Sequence, residues 1–253
     1  MAGRLRLDQW LVEHGLCPSR EQARRLILAG RVRVDGQPAT KAGARVPPEA
    51  EVVLEAPERY VSRGGYKLER ALDAFGLDVR GWRVVDVGAS TGGFTDCLLQ
   101  RGAAHVYAVD VGKGQLAWKL RQDARVTPLE GINARHLQPA HFPQPFVPLD
   151  LAVVDCSFIS LRLVLPPLPA LLRPNGRIVA LVKPQFEAGR REASRGRGVI
   201  RDPRIHERVL RELENWVAAG GSLHWRGRVE SPILGPAGNK EFLVLLEKID
   251  RQD

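Results

Sequence analysis

Val84-Val-Asp-Val-Gly-Ala-Ser-Thr-Gly-Gly-Phe-Thr-Asp-Cys-Leu-Leu99 runs from a short apolar segment into a glycine-rich turn and leaves it with helical spacing. Val84, Val85 and Val87 suit a strand buried in a parallel sheet, while Gly88, Gly92 and Gly93 let backbone approach a ligand where a Cβ would collide. A strand, turn and helix in this order commonly grip a nucleotide-like cofactor. The GxxxGG spacing is not the GxGxxG of dinucleotide binders, and no lysine follows the glycines as it would in a phosphate loop. A plain glycine turn in an α/β sheet is the competing reading.

The segments that follow alternate between strand and helix. Strands are predicted at His105 to Asp110, Val126 to Glu130, Leu151 to Asp155 and Arg177 to Lys183, with helices near 92–101, 115–121 and 161–172. This is the pattern of a doubly wound α/β domain. Asp110 closes the second strand 22 residues after Gly88, where an acidic side chain commonly receives the ribose hydroxyls of an adenosine cofactor; a structural cap is the alternative. Asn133, beyond the third strand, is placed to meet the adenine or its surroundings.

A helix over 202–219 precedes two strands, 223–230 and 241–247, with no helix between them. That predicts an antiparallel pair and resembles class I methyltransferases, in which the last strand inserts beside the fifth. Asp155 would then end the fourth strand, Lys183 the fifth, and Glu241 would begin the last. All three converge at the carboxyl edge of the sheet beside Gly88, where ligands of such sheets bind. Lys67 lies in the first turns of a helix after the Gly64-Gly65 pair, with Leu68, Ala71 and Leu72 as its apolar stripe. Taken singly, each of these charged residues is an ordinary structural or surface group.

Upstream, residues to about Pro57 form a separate small domain. A helical pattern starts at Leu5, Leu7, Trp10 and Leu11. Ser19 opens a second helix with Gln22 at the capping-box position, and Val32 and Val34 alternate with arginines up to the Asp35-Gly36 turn signal. Between Arg20 and Arg45 there are seven basic residues against two acidic ones. On a compact helix pair and hairpin, such arginines meet a phosphate backbone or simply form a solvated face.

The whole chain has 253 residues, 44% of them hydrophobic, with 38 Lys+Arg against 29 Asp+Glu and a formal charge of +9. It is long enough for a full α/β core plus an appendage, and its charge favours a polyanionic partner. No run approaches the ~18 apolar residues that span a bilayer, and the first residues lack a signal core, so a soluble cytoplasmic protein with no membrane partner is expected. Cys17, Cys97 and Cys156 are widely spaced and the six histidines scattered, so neither a disulfide framework nor a metal site is indicated.

The strings Leu5-Arg-Leu-Asp-Gln-Trp-Leu-Val12, Ser19-Arg-Glu-Gln-Ala-Arg-Arg-Leu-Ile27 and Gly30-Arg-Val-Arg-Val-Asp-Gly36 resemble an S4 domain, a module that binds structured RNA. Five further strings extend the resemblance across the chain. They are Tyr60-Val-Ser-Arg-Gly-Gly-Tyr-Lys-Leu68, Asp86-Val-Gly-Ala-Ser-Thr-Gly-Gly-Phe-Thr-Asp96, Asp155-Cys-Ser-Phe-Ile-Ser160, Val182-Lys-Pro-Gln-Phe-Glu187 and Gly238-Asn-Lys-Glu-Phe242. Together they resemble the TlyA family of ribosomal RNA 2'-O-methyltransferases, an S4 domain fused to an FtsJ-like methyltransferase domain.

The resemblance implies residues 1–57 as the α+β S4 domain, 58–63 as a linker, and 64–253 as a class I, Rossmann-like methyltransferase domain with a mixed seven-stranded sheet and helices on both faces. It implies Lys67, Asp155, Lys183 and Glu241 as a catalytic tetrad, with Lys183 as general base. It also implies an S-adenosyl-L-methionine site at Gly88, Ala89, Ser90, Thr91, Gly92, Gly93 and Phe94 with Asp110, joined by Asn133 and Asp155. The candidate RNA contacts are Arg4, Arg6, Arg20, Arg24, Arg25, Arg31, Arg33, Lys41 and Arg63. The expected activity is methylation of a ribose 2'-hydroxyl, of a cytidine in ribosomal RNA or ribosomal subunits. A noncatalytic RNA-binding assembly factor is the alternative, and a membrane-active haemolysin a third reading that the absence of an apolar span disfavours. The segment from Phe186 to Gly198, with four arginines and three glycines, is expected either to close over RNA or to remain solvated.

Overall fold

The computed structural model describes residues 4–55, 58–189, 192, 196 and 198–249. The chain forms two compact units, Met1–Arg59 and Tyr60–Asp253. The division falls within the 58–63 segment.

In the first unit, α1 (Leu7–Glu13) and α2 (Arg20–Leu28) pack together through Leu7, Leu11, Ala23 and Ile27, all fully buried. Ser19 caps α2 by accepting from the Gln22 N–H at 3.2 Å. Leu5–Arg6 is a strand, β1, rather than the first turn of the helix. It pairs with β4 (Arg45–Val46), a partner forty residues away that helical periodicity does not reveal. β2 (Val32–Val34) pairs antiparallel with β3 (Gln37–Pro38) and β5 (Val52–Leu54). Asp35 and Gly36, both at positive φ, make the tight turn between β2 and β3.

The second unit is built on a seven-stranded sheet. In chain order its strands are β6 (Arg83–Val87), β7 (His105–Asp110), β8 (Val126–Glu130), β9 (Leu149–Val154), β10 (Leu172–Val182), β11 (Leu223–Glu230) and β12 (Phe242–Lys248). Their spatial order is β11-β12-β10-β9-β6-β7-β8. The five from β10 to β8 are parallel, and β12 lies antiparallel between β10 and β11.

Both faces of the sheet are covered. Val84 points into a core with Leu68 and Leu72 of α3 (Gly64–Ala74) and Leu98 of α4 (Gly93–Gln100). Val85 and Val87 point to the opposite core, with Val209, Leu210 and Leu213 of the later helix Pro203–Gly220. This two-faced burial explains why Val84, Val85 and Val87 are apolar on both faces of the strand.

Two expected helices are shorter than their patterns. Only Trp118–Arg121 (α5) is helical in the 115–121 stretch. After Leu161–Val164 (α6) the chain meets Pro166 and Pro167, which offer no N–H to continue the helix, and Leu168–Leu171 forms a 3-10 turn instead. β10 starts early at Leu172 and breaks register before Arg177, where Asn175 takes a positive φ. α7 (Pro184–Glu187) follows β10 directly, and α8 (Pro203–Gly220) opens on an Asp202 cap that accepts from the Arg204 N–H at 2.9 Å.

Candidate active site

Two clefts open at the carboxyl edge of the parallel strands. One, of about 530 Å³, is lined by Lys67, Asp86, Ala89, Thr91, Gly93, Phe94 and Lys183, among others. The other, of about 970 Å³, is lined by Asp110, Ile132, Asn133, Cys156, Phe158 and Leu163, among others. They meet at Gly88, Ser90, Asp155 and Ser157, which line both. Each has the size of a small-molecule site.

Gly88 sits at the junction because nothing larger fits. Its φ is +84°, and a Cβ there would lie 2.6 Å from the carbonyl oxygen of Asp155, the residue just past the end of neighbouring β9. Gly92 differs from the expectation. It lines neither cleft, and a Cβ on it would collide with Leu120 at 2.3 Å, so its lack of a side chain serves the packing of α5.

Asp110 ends β7 and binds both neighbouring loops, accepting from the Ser90 N–H at 2.8 Å and the Gly112 N–H at 2.7 Å. It therefore has the cap-like role that competed with ligand binding, and it also lines the larger cleft. Asn133 reaches that cleft while its Oδ1 accepts from the Arg135 N–H at 3.1 Å.

The four charged residues separate into two pairs. Lys183 lies 2.6 Å from Asp155 Oδ1 and donates to Ser157 Oγ at 2.7 Å. Lys67 donates to Glu241 Oε2 at 2.5 Å. Both lysines are buried but reach the smaller cleft; Glu241 is 1% exposed and does not line it, so it meets the cleft only through Lys67.

Two residues of the site escaped the motif-based reading. Ser157, in the loop after β9, touches Lys183. Asp86 is a charge inside the Val84–Val87 apolar run, and that anomaly was the available signal. It is fully buried; Oδ2 accepts from Thr95 Oγ1 at 2.7 Å, and among the described residues Oδ1 has no hydrogen-bond partner although the residue lines the smaller cleft.

Burial, aided by the charges of Asp155 and Asp110, pushes the Asp86 carboxyl up to about 7. Being raised above its unfolded value of 3.8, Asp86 adds stability below about pH 4 and loses it as pH rises through about 7, an effect on the order of 4 kcal/mol. Asp86→Asn is therefore expected to gain stability over the parent at pH 8 but not at pH 4. Urea midpoints for both proteins at the two pH values measure this; a parallel pH dependence would contradict it. Burial also pushes the Cys156 thiol up to about 12, which leaves it inert as a nucleophile at neutral pH.

The candidate RNA contacts sort into distinct local settings. Arg6, Arg20 and Arg24 all bind the buried Asp8. Arg31 donates to the Glu55 carbonyl at 3.1 Å and Arg33 lies 2.5 Å from the Glu55 carboxylate. Arg4, Arg25 and Lys41 are exposed. Arg63 belongs to the second unit, where it donates to the Leu234 carbonyl at 2.9 Å. Arg190, Arg191, Arg195 and Arg197 of the arginine-rich segment lie outside the described residues. Among the described residues, no group of three or more His, Cys, Asp or Glu could hold a metal, and no helix is long and apolar enough to cross a membrane.

A parallel sheet with an inserted antiparallel β12, a glycine turn after β6 and an acidic residue closing β7 define a class I methyltransferase fold. Residues 60–248 match the FtsJ-like methyltransferase family and residues 5–52 match the S4 domain. The 16S/23S rRNA (cytidine-2'-O)-methyltransferase TlyA of Mycobacterium tuberculosis is 48% identical, over 99% of this chain and 93% of its own. Hemolysin A of Brachyspira hyodysenteriae is 40% identical, over 95% of this chain and 98% of its own. A solved structure from Streptococcus thermophilus, described as a candidate hemolysin, superposes with a TM-score of 0.74 at 46% identity, covering 99% of this chain and 90% of its own. The chain belongs to the TlyA family of S4-containing, FtsJ-like methyltransferases.

Proposed function

We propose that the chain methylates a ribose 2'-hydroxyl of a cytidine in ribosomal RNA, taking the methyl group from S-adenosyl-L-methionine, with Lys183 as general base. The observation that carries this reading is the meeting of two clefts at Gly88 and Asp155, with two buried lysines reaching the smaller one. A two-substrate transfer needs such a junction.

The residues present suit the cofactor. Gly88 lines both clefts, Asp110 lines the larger one, and Oδ1 of Asp86, without a hydrogen-bond partner among the described residues, is an acceptor suited to an ammonium group. Asp110 and Asn133 would hold the adenosine part, and the Gly88–Phe94 turn the remainder. When bound, S-adenosyl-L-methionine supplies an electrophilic methyl on a sulfonium.

The chain's own residues then orient the acceptor and handle its proton. A ribose hydroxyl is a weak nucleophile, so it must be positioned and must lose its proton as it reacts. Lys183, as the neutral amine held by Asp155 and Ser157, accepts that proton at Nζ and becomes the ammonium. Lys67, fixed by Glu241, supplies positive charge beside the developing alkoxide. Base methylation through a cysteine adduct would need a thiolate, and Cys156 is held in its thiol form.

The S4 unit provides RNA affinity, and the M. tuberculosis relative's name supports ribosomal RNA and cytidine as the substrate. The test incubates deproteinised ribosomal RNA and intact subunits with methyl-labelled cofactor, then maps linkages protected from alkaline cleavage. A 2'-O-methyl removes the nucleophile for that cleavage. Label on a base without a protected linkage would refute the ribose assignment.

A further inference from the structure

Asp8 is fully buried, yet it lies under three guanidinium groups. Arg6 approaches its Oδ1 at 3.1 Å through Nε, and Arg20 and Arg24 approach its Oδ2 at 3.2 and 3.0 Å. The three arginines come from different places: Arg6 from β1, Arg20 and Arg24 from successive turns of α2. Their side chains remain 42%, 48% and 54% exposed, so each shows part of its donor fork to solvent.

Three like charges do not gather unaided, because their mutual repulsion must be offset. A single carboxylate offsets it only in part. Three cations on one anion leave a local excess of two, and among the described residues Arg20 and Arg24 each spend a single N–H on Asp8 and Arg6 two, fewer than the five each guanidinium carries. An anchored guanidinium with free donors is suited to a phosphodiester oxygen, and anchoring removes part of the side-chain entropy that binding would otherwise cost.

We infer that Asp8 is a positioning residue for RNA binding, a buried anchor that arrays Arg6, Arg20 and Arg24 as one phosphodiester-binding fork. This rests on the reading of the S4 unit as the RNA-binding module. Asp8 itself, with no exposed surface, does not touch the RNA.

Simple electrostatics and positioning give opposite signs for its removal. Asp8→Asn deletes a negative charge next to a polyanion's site, so Coulomb attraction alone would tighten binding. Positioning predicts the reverse: the arginines disperse and binding weakens.

The experiment titrates the full-length chain with deproteinised ribosomal RNA across a salt series and measures methylation kinetics in parallel. Asp8→Asn is expected to weaken RNA binding about tenfold, to flatten the salt dependence as fewer phosphates are engaged, and to raise KM for RNA rather than lower kcat. In an Arg20→Gln/Arg24→Gln background, Asp8→Asn should cost less than threefold further, because it acts through those side chains. Arg24→Lys, on an exposed helix position, keeps the charge but loses the Nε–H that meets Asp8, and serves if Asp8→Asn misfolds; it should weaken binding severalfold. Parent-like or tighter binding by Asp8→Asn, or by Arg24→Lys where Asp8→Asn misfolds, overturns the inference. Parent-like binding by Arg20→Gln/Arg24→Gln instead overturns the reading of this unit as the RNA contact.

Discussion

Lys183→Ala is expected to lower methyl transfer by about 10²- to 10⁴-fold, the range that a positioned general base contributes. RNA and cofactor affinities should stay within about threefold, because no role in gripping either is assigned to it. Lys183→Arg is the sharper variant. Arginine keeps the charge and can still meet Asp155, but it does not give up its proton and so cannot accept one. If Lys183 serves as a base, arginine should be nearly as inactive as alanine. If it serves only as a fixed cation, arginine should restore much of the rate. Single-turnover methylation at saturating RNA separates the two, and it also tests the noncatalytic alternative, for which neither substitution would matter.

The sequence made the sheet legible because each of its features is local. The valine run, the glycine turn and the acidic residue closing β7 lie within a short span, and the lack of a helix between the last two strands sufficed to predict their antiparallel pairing. The S4 and FtsJ-like resemblance rested on strings of similar locality, and the family matches bear it out. What was not legible depends on distant partners. Leu5–Arg6 carries helical spacing but is held as a strand by Val46 and Arg45. Asp8 reads as an ordinary first-turn acid of a helix, and its burial under Arg6, Arg20 and Arg24 emerges only when α1 packs on α2.

The same limit applies within the candidate site. Strand order brings Asp155, Lys183 and Glu241 to one edge, but it does not say which carboxylate meets which lysine. Lys67 finds Glu241 across 174 positions of sequence, and Lys183 finds Asp155 across the neighbouring strand end. Asp86 was hidden for a different reason. The glycines that follow its strand have an obvious conformational meaning, whereas a lone acid in an apolar strand shows its cost only once its complete burial is seen.

The Lys67–Glu241 pair should produce the largest stability effect in the molecule. Both side chains are nearly withdrawn from water, at 9% and 1% exposure, so removing either leaves an uncompensated buried charge. Glu241→Ala is expected to destabilise the second unit by about 3–5 kcal/mol, read as a shift in its urea midpoint. A joint replacement, Lys67→Met with Glu241→Leu, removes both charges together and should recover most of that loss, since buried pairs often give little net stability over apolar residues of similar size. Methylation should not recover with it. If Lys67 supplies charge to the reacting oxygen, the stable double variant remains at least about 10²-fold slower than the parent, as with the loss of an oxyanion-stabilising donor. Restored stability with restored activity would reduce the pair to a structural tie. Restored stability without activity would separate what Glu241 does for the fold, satisfying a buried ammonium, from what it does for the chemistry, holding that ammonium at the wall of the cleft.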